Sequence, residues 1–371
     1  MKLAIRKSDI IDVLSKVQGL TGRKSNLAIT TNVLVRTMDS EISIVATDLE
    51  TGFEGFYPAV IEKEGSMALN ARKFFEIVRD FPDEEIKLNE IDNHWFEIGN
   101  AHVEYHIVGM NPEDFPDVPR IEDVQFLEIE SGVLKGMIEK TLVIGAVDDK
   151  RAHIIGAYFE KLIVDDKNVI RLVSTDGSRL STVDHVYESG VDLPVEGGVL
   201  IPKKGLNEVN KFLESTGTVQ IGFKDNHFII KKEVETIVIR LLEGEFPKYG
   251  EIIMKREGNS IPLNRQMFLM MLKRMSILAS DDYKGAIFKF TDDNLTITST
   301  NPDIGESKEE MEIEFSGDPI EAAFNPKFFT DAAGAIDEEK IVVDIVDEEK
   351  PCLIQGLEDK RFLSVIMPMR V

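Results

Sequence analysis

Two aspartates stand where a chemical reading of this chain has to begin. Asp48 and Asp176 each close a segment of alternating apolar and polar residues, and each follows a threonine. Carboxylates at strand ends are candidates for divalent-metal binding or acid–base work. A third copy of the segment carries Asn301 at the same place, and an amide does neither. The residue type shared by all three copies is the one that bonds turn backbone, so an Asx-type turn is the expectation. In NAHVEYH, His102, Glu104 and His106 alternate. On a strand they share one face, which offers imidazole and carboxylate ligands to a divalent ion. The plainer reading, and the favoured one, is the polar face of a half-buried strand with Val103, Tyr105 and Ile107 behind it. His94, His153, His185 and His227 show no ligand spacing, and Cys352, the only cysteine, lies among apolar residues as a small hydrophobe. GxGxxG, Walker, HExxH, GxSxG and CxxC signatures are all missing from the sequence. No catalytic residue, metal or cofactor is assigned.

The elements that hold these residues recur. Glu41–Asp48 (EISIVATD), Val169–Asp176 (VIRLVSTD) and Asn294–Asn301 (NLTITSTN) end 128 and then 125 residues apart. Each follows another strand and an acidic turn. A period this long marks a repeated domain rather than a solenoid unit. Helical patterns keep the rhythm: Ser8–Gly19, Ser131–Thr141 and Asn264–Ser276 open the repeats, and Arg72–Asp80, Lys203–Leu213 and Pro326–Gly334 follow the Thr-Asp or Thr-Asn strands. Asn70 and Asn325 are N-cap candidates, and Pro326 suits a first helical position. Phe115-Pro116 and Phe246-Pro247 close two repeats and RFLSVIMPMRV the third. Two helices among many alternating strands per unit predict an α+β fold with mostly antiparallel sheets and helices on one face. The expected domains are 1–123, 124–254 and 255–371.

A chain of 371 residues with 43% hydrophobic content can build a core in each domain. No apolar run is long enough for a membrane span, and Lys2, Arg6, Lys7 and Asp9 interrupt any signal-peptide core. With a single cysteine, a reducing cytoplasm is the expected setting. Net charge is −24, which argues against nucleic acid until its distribution is considered. The six helical segments hold 13 Lys and Arg against seven Asp and Glu. Basic helices inside an acidic protein can present one face to phosphates, although helices also favour Lys and Arg for propensity and solvation. The VIMPMRV end is apolar where termini are usually polar. Val365 and Ile366 read as a last strand, and the Met-Pro-Met stretch as the wall of a pocket.

The motifs ATDLETG, LNARKFFEIVRDF, DFPDV, STDGSRLS, IPKKGLNEV, EGEFPKY, FNPKFF and terminal MPMR occur in order from end to end. Together they resemble the family of bacterial DNA sliding clamps, the beta subunits of DNA polymerase III. That resemblance implies three DNA-clamp domains of one fold per chain. It implies two chains closed head to tail into a ring, with helices lining the hole and antiparallel sheets outside. The implied function is that of a processivity factor: an accessory subunit with no activity of its own that encircles duplex DNA without reading sequence. Such a ring tethers the replicative polymerase, the clamp loader and repair proteins through a short peptide motif.

Carried over by position, the peptide cleft comprises Arg151, Ile154, Thr175, Gly177, Ser178, Arg179, Leu180, Pro247, Ile252, Pro351, Val365, Ile366, Met367, Pro368, Met369 and Arg370. Ser178 stands where related clamps commonly have His, Glu251 where some are basic, and Val371 where Leu is usual. The DNA-facing set is Lys24, Arg72, Arg79, Lys135, Lys140, Lys203, Lys204, Lys211, Lys273, Arg274 and Lys327. The ring seam implies Lys73, Ile77, Tyr105 and Ile107 on one side and Ile277, Leu278, Glu306, Glu309 and Glu310 on the other. His102 and Glu104 occupy places where some relatives carry Arg. Two other readings are a clamp-like peptide scaffold that does not encircle DNA, and a metal-dependent hydrolase using the carboxylates or the His102/Glu104/His106 face.

Overall fold

The computed structural model describes the chain except residues 23–26, 92, 120, 146–149, 189–192, 196, 254–257, 279–284 and 370–371. Its backbone contacts divide the chain into two units. One contains residues 1–135, 189–195 and 204–241, the other 136–188, 196–203 and 242–371.

The first unit holds two antiparallel sheets. Five strands run in the order Val60–Lys63, Lys2–Arg6, Glu85–Glu90, Trp95–Gly99 and Glu104–Val108. Eight others run Phe126–Glu130, Thr218–Lys224, His227–Lys232, Glu235–Arg240, Thr51–Pro58, Glu41–Thr47, Asn32–Met38 and Ser66–Asn70. The second unit repeats the plan. Its eight-stranded sheet runs Val199–Pro202, Gly156–Val164, Lys167–Thr175, Arg179–Val186, Phe362–Ile366, Cys352–Gly356, Lys340–Ile345 and Asn259–Asn264. Its four-stranded sheet runs Gly305–Glu312, Asn294–Asn301, Ala286–Thr291 and Ile320–Phe324. In each eight-stranded sheet, strands from two successive sequence repeats pair directly: Ile237 lies opposite Phe53, and Ser364 opposite Ser181. This explains why the compact units do not coincide with the repeats. Ladder hydrogen bonds ignore repeat boundaries, and the middle repeat gives half its strands to each unit.

The helices form where the sequence places them. Lys7–Lys16, Ser131–Leu142 and Arg265–Met275 open the repeats, and Ala71–Asp80, Lys203–Phe212 and Pro326–Gly334 follow. Asn70 Oδ1 accepts from Lys73 N at 3.0 Å, Asn264 Oδ1 from Met267 N at 3.0 Å, and Asn325 Oδ1 from Lys327 N at 3.0 Å. Each bond satisfies an amide that a helix start would otherwise leave orphaned. Apolar faces at helical spacing turn inward: Phe74, Ile77 and Val78 on one helix, Phe268, Met271, Leu272 and Met275 on another. Phe329, at the middle of Pro326–Gly334, stacks on Phe288 with centroids 5.0 Å apart and meets Phe268 edge-on at 6.0 Å. Cutting such a phenylalanine to alanine typically costs about 3–5 kcal/mol.

The Thr-Asp and Thr-Asn strand ends prove to be turns. Asp48 Oδ1 accepts from Glu50 N and Thr51 N at 3.1 and 2.8 Å. Asp176 Oδ1 accepts from Ser178 N and Arg179 N at 3.0 and 3.1 Å, and Asn301 Oδ1 accepts from Asp303 N at 3.0 Å. Carboxylate and amide oxygens serve equally, which is why Asn substitutes for Asp in the third copy. Cys352 is fully buried, and burial pushes its thiol well above the ordinary range.

Candidate partner cleft and basic helices

The second unit gathers most of the residues implied for the cleft. Its apolar floor comes from three places in the sequence. Val173 and Leu180 belong to neighbouring strands, Leu353 and Val365 to the last two strands, and Tyr249 to the segment after Phe246-Pro247; together they form one buried cluster. Tyr158, Phe246, Ile252, Ile253 and Leu363 pack on it while still partly accessible. Phe246 stacks on Tyr158 with centroids 4.9 Å apart and meets Tyr249 edge-on at 5.9 Å, so the three rings form one packed aromatic wall. The Tyr249 hydroxyl donates to Glu160, whose carboxyl burial pushes upward in pKa. Half-accessible aromatic and aliphatic groups around a dry floor suit apolar side chains arriving from outside.

One rim is the turn 175–179. Thr175 Oγ1 donates to Arg179 O at 2.7 Å and accepts from Gly177 N at 3.0 Å. Gly177 takes φ +92°, a left-handed conformation that glycine tolerates without a Cβ clash. The other rim is the chain end. Met367 N donates to Ser178 O at 2.9 Å and Met369 N to Ala323 O at 2.7 Å. Two backbone bonds therefore tether the tail, while Met367 and Met369 stay 40% and 39% exposed. Exposed methionines on a fixed backbone give an adaptable apolar surface.

Not every implied cleft residue lines accessible space. Ile154, Pro351, Val365 and Ile366 are buried, and Val365 belongs to the buried cluster, whereas Pro247 and Ser178 are exposed and Ile252 is half-buried. Arg151 precedes the short helix Ala152–Ile155 and is exposed. Arg179 differs most from expectation. Its guanidinium binds Asp176 at 3.0 Å and Asp331 at 2.7 Å and lies 4.3 Å from the Phe328 ring centroid. Only 9% exposed, it is a strut between strand and helix rather than a group held ready for ligand. Nothing in the STDGSRLS motif identifies Asp331 and Phe328 as its partners, because they lie about 150 residues further on. Phe246 and Tyr249 were legible in EGEFPKY but were not assigned. Arg370 lies outside the described residues.

The basic helices require one correction. Lys203 does not face outward. It is fully buried, its Nζ donates to Ile154 O at 2.7 Å and Thr175 O at 3.3 Å, and burial pushes its pKa down to about 8. The sequence places Lys203 in the DNA-facing set, but its side chain turns into the core beneath Thr175. The other cations reach solvent to different degrees, and several are ion-paired. Lys204 meets Asp48 at 2.6 Å, Lys211 meets Glu208 at 2.6 Å and Lys140 meets Asp337 at 3.2 Å. Arg72 and Lys73 share Glu76, Arg79 pairs with Asp80, and Lys327 lies 3.7 Å from Asp331. Lys135 Nζ donates to Asn210 O at 3.0 Å. Lys273 is exposed. Arg274 Nε donates to Glu309 at 2.9 Å, which ties a residue assigned to DNA to one assigned to the seam. Lys24 lies outside the described residues.

Among the seam candidates, Ile277 is 73% exposed and Tyr105 37% exposed. Ile107, Leu278 and Glu309 are half-buried, and Glu306 and Glu310 are exposed. Ile77 is packed inside its own helix layer with 9% exposure. The His102/Glu104/His106 face is altered: the strand begins at Glu104, and the His102 amide bonds Asn100 in the preceding turn. Glu97, directly opposite His106 on the next strand, takes its place in the cluster.

Family models for the N-terminal, central and C-terminal domains of the DNA polymerase III beta subunit match residues 1–119, 128–248 and 251–370. The chain belongs to the DNA polymerase III beta-subunit family. It is 27% identical to the beta sliding clamp of Vibrio cholerae over the full length of both chains. A DNA polymerase III beta subunit from Eubacterium rectale superposes with a TM-score of 0.91 at 28% identity, with both chains fully covered. A sliding clamp from Bartonella birtlesii bound to griselimycin superposes at 0.93 with 27% identity, again over both full chains. The family accounts for the three repeats and the antiparallel sheets. Among the described residues no helix is long and apolar enough to cross a membrane.

Proposed function

We propose that this chain is a DNA polymerase processivity factor: a sliding clamp that closes head to tail with a second copy and encircles duplex DNA. The observation that carries the reading is the whole-length match of all three beta-subunit domains. The domains are 1–123, 124–254 and 255–371, with the helices lining the central hole. The clamp is an accessory subunit and makes or breaks no bond. Retention is topological, so contacts to phosphate need only be weak, mobile and blind to sequence. Tethering a polymerase to the ring keeps its active site near the primer end at high effective concentration. The setting is the cytoplasm.

Partners, namely the replicative polymerase, the clamp loader and repair proteins, dock through a short peptide. Its apolar anchors lie against Leu180, Phe246, Ile252 and Met367, with Pro247 at the mouth. DNA passes the exposed cations Lys211, Lys273, Arg72 and Lys327 and the half-buried Lys204, and Lys203 is not among them. Retention on closed circular DNA, compared with the same DNA linearised, tests the reading. The circular form should hold the clamp through a high-salt wash and the linear form should release it. Equal release from both would reduce the protein to a peptide-binding scaffold.

A further inference from the structure

The inner junctions of the sheets fix the register at the edges that remain open. The hairpin positions Ile98–Tyr105, Ile230–Ile237 and Ile354–Ser364 are equivalent, as are Ala46–Phe53, Ser174–Ser181 and Ser299–Ser307. At the two inner junctions Ile237 pairs with Phe53 and Ser364 with Ser181. Strand Glu104–Val108 ends the five-stranded sheet, and Gly305–Glu312 ends the four-stranded one. Continuing the pattern between two copies puts Tyr105 opposite the partner subunit's Ser307. Val108 then meets the partner's Ile304, His106 the partner's Glu306, and Glu104 the partner's Lys308. Val108 and Ile304 are 58% and 63% exposed in the single chain, and this register buries them against each other. A slip of one residue would set Val108 against glycine or aspartate and turn every side chain to the wrong face.

That register completes a ligand set. Glu97, Glu104 and His106 already hold their ligand atoms within 4.8 Å of one another, with His106 Nε2 at 2.9 Å from Glu104 and 3.9 Å from Glu97. Ligands of a tetrahedral zinc stand roughly 3.3 Å apart, given bonds of about 2.0–2.1 Å, so little movement is needed. Directly opposed residues on neighbouring strands have Cβ atoms about 4.5–5.5 Å apart, which brings the partner's Glu306 within reach as a fourth ligand. With the imidazole neutral, three carboxylates and the partner's Lys308 sum to −2, the charge a divalent ion cancels.

We propose that each seam of the ring binds one divalent transition-metal ion through Glu97, Glu104 and His106 of one subunit and Glu306 of the other. The site is incomplete in a single chain, so the ion favours the closed ring. The proposal rests on the clamp reading above. An imidazole in the set selects zinc-like ions over magnesium.

The test is the dimer dissociation constant by analytical sedimentation, with ZnCl2, MgCl2 or EDTA, together with zinc stoichiometry by calorimetry. At free zinc one hundred times its dissociation constant, the linkage relation gives about a hundredfold tighter association per seam, with one zinc per chain and a much smaller effect from magnesium. His106→Gln and Glu306→Gln should each abolish the zinc effect. Glu306→Gln leaves the three ligands of the single chain intact, so its loss of response separates a shared site from a local one. A wild-type dimer whose affinity is the same in zinc and EDTA overturns the metal site and leaves the ring standing. Zinc tightening that survives Glu306→Gln also overturns the shared site. A chain that stays monomeric in every condition overturns both the seam and the clamp reading.

Discussion

At the scale of single residues, the proposed cleft lies beside two buried cations that its sequence motifs do not advertise as structural. Arg179 joins a strand to the helix Pro326–Gly334 through Asp331 and Phe328, and Lys203 bonds carbonyls beneath Thr175. Both appear in the sequence as ordinary positive residues near a loop, and only the packed fold reveals the oxygens they serve. Lys203 has a pH signature. Its folded pKa is lowered by burial to about 8, against 10.5 for the free side chain. Between those values the unfolded chain holds a proton that the folded chain lacks, so this group's contribution to stability rises with pH across that window. Lys203→Met removes the dependence and orphans the Ile154 and Thr175 carbonyls, which costs about 1–3 kcal/mol at neutral pH. The gap between wild type and variant should then widen, by at most about 3 kcal/mol, from pH 7.5 to pH 10. Urea unfolding at the two pH values measures it, and a gap that narrows would mean the ammonium is not disfavoured by burial.

At the scale of elements, capping and the chain end behave as independent parts. Asn70→Ala and Asn325→Ala should each cost about 1 kcal/mol, because each removes one side-chain bond to a helix-start amide and nothing in the core. Thermal unfolding of the two variants and of the double variant checks this; the caps lie in different compact units, so their effects should add. Deleting 367–371 should abolish binding of partner peptides in fluorescence polarisation while sedimentation still shows the dimer. Among its described residues, the tail contributes Met367 and Met369 to the proposed cleft rim and none to the edge strands Glu104–Val108 and Gly305–Glu312. Unchanged peptide affinity in a folded deletion protein would place the partner site elsewhere. Helices, caps and repeated strands were legible because each is set by local chemistry: apolar spacing of 3.6 or 2, an Asn before a helix, a Thr-Asp turn. Sheet continuation across repeats was not legible. The pairing of Glu235–Arg240 with Thr51–Pro58 joins segments nearly two hundred residues apart, and no local signal records it. The replacement of His102 by Glu97 has the same origin: alternation along one strand cannot say where that strand begins or what lies opposite.

For the molecule as a whole, the argument turns on how an acidic chain keeps hold of DNA. With a net charge of −24 and many of its helix cations already paired to carboxylates, the protein has little electrostatic affinity to spare. Weak salt-sensitive binding is therefore expected of the open chain, and durable binding only of the closed ring. Closure is heterologous, one edge of a copy against the other edge of its partner, and two copies suffice only if the rotation closes. The proposed seam includes Ile277 and Leu278, in the turn Ser276–Leu278 that follows the helix Arg265–Met275. Because Ile277 is 73% exposed in the single chain, Ile277→Asp combined with Leu278→Asp should leave the protomer folded, with a melting temperature within a few degrees of wild type. In the ring the same change buries two unpaired charges per seam, a cost of several kcal/mol each even after relaxation. Sedimentation should then report a monomer at micromolar concentration, and the variant should wash from circular DNA as fast as wild type does from linear DNA. Peptide binding should persist, since no cleft residue is touched. A variant that stays dimeric, or a monomer that still resists high salt on circular DNA, would show that retention does not come from closing the ring at this seam.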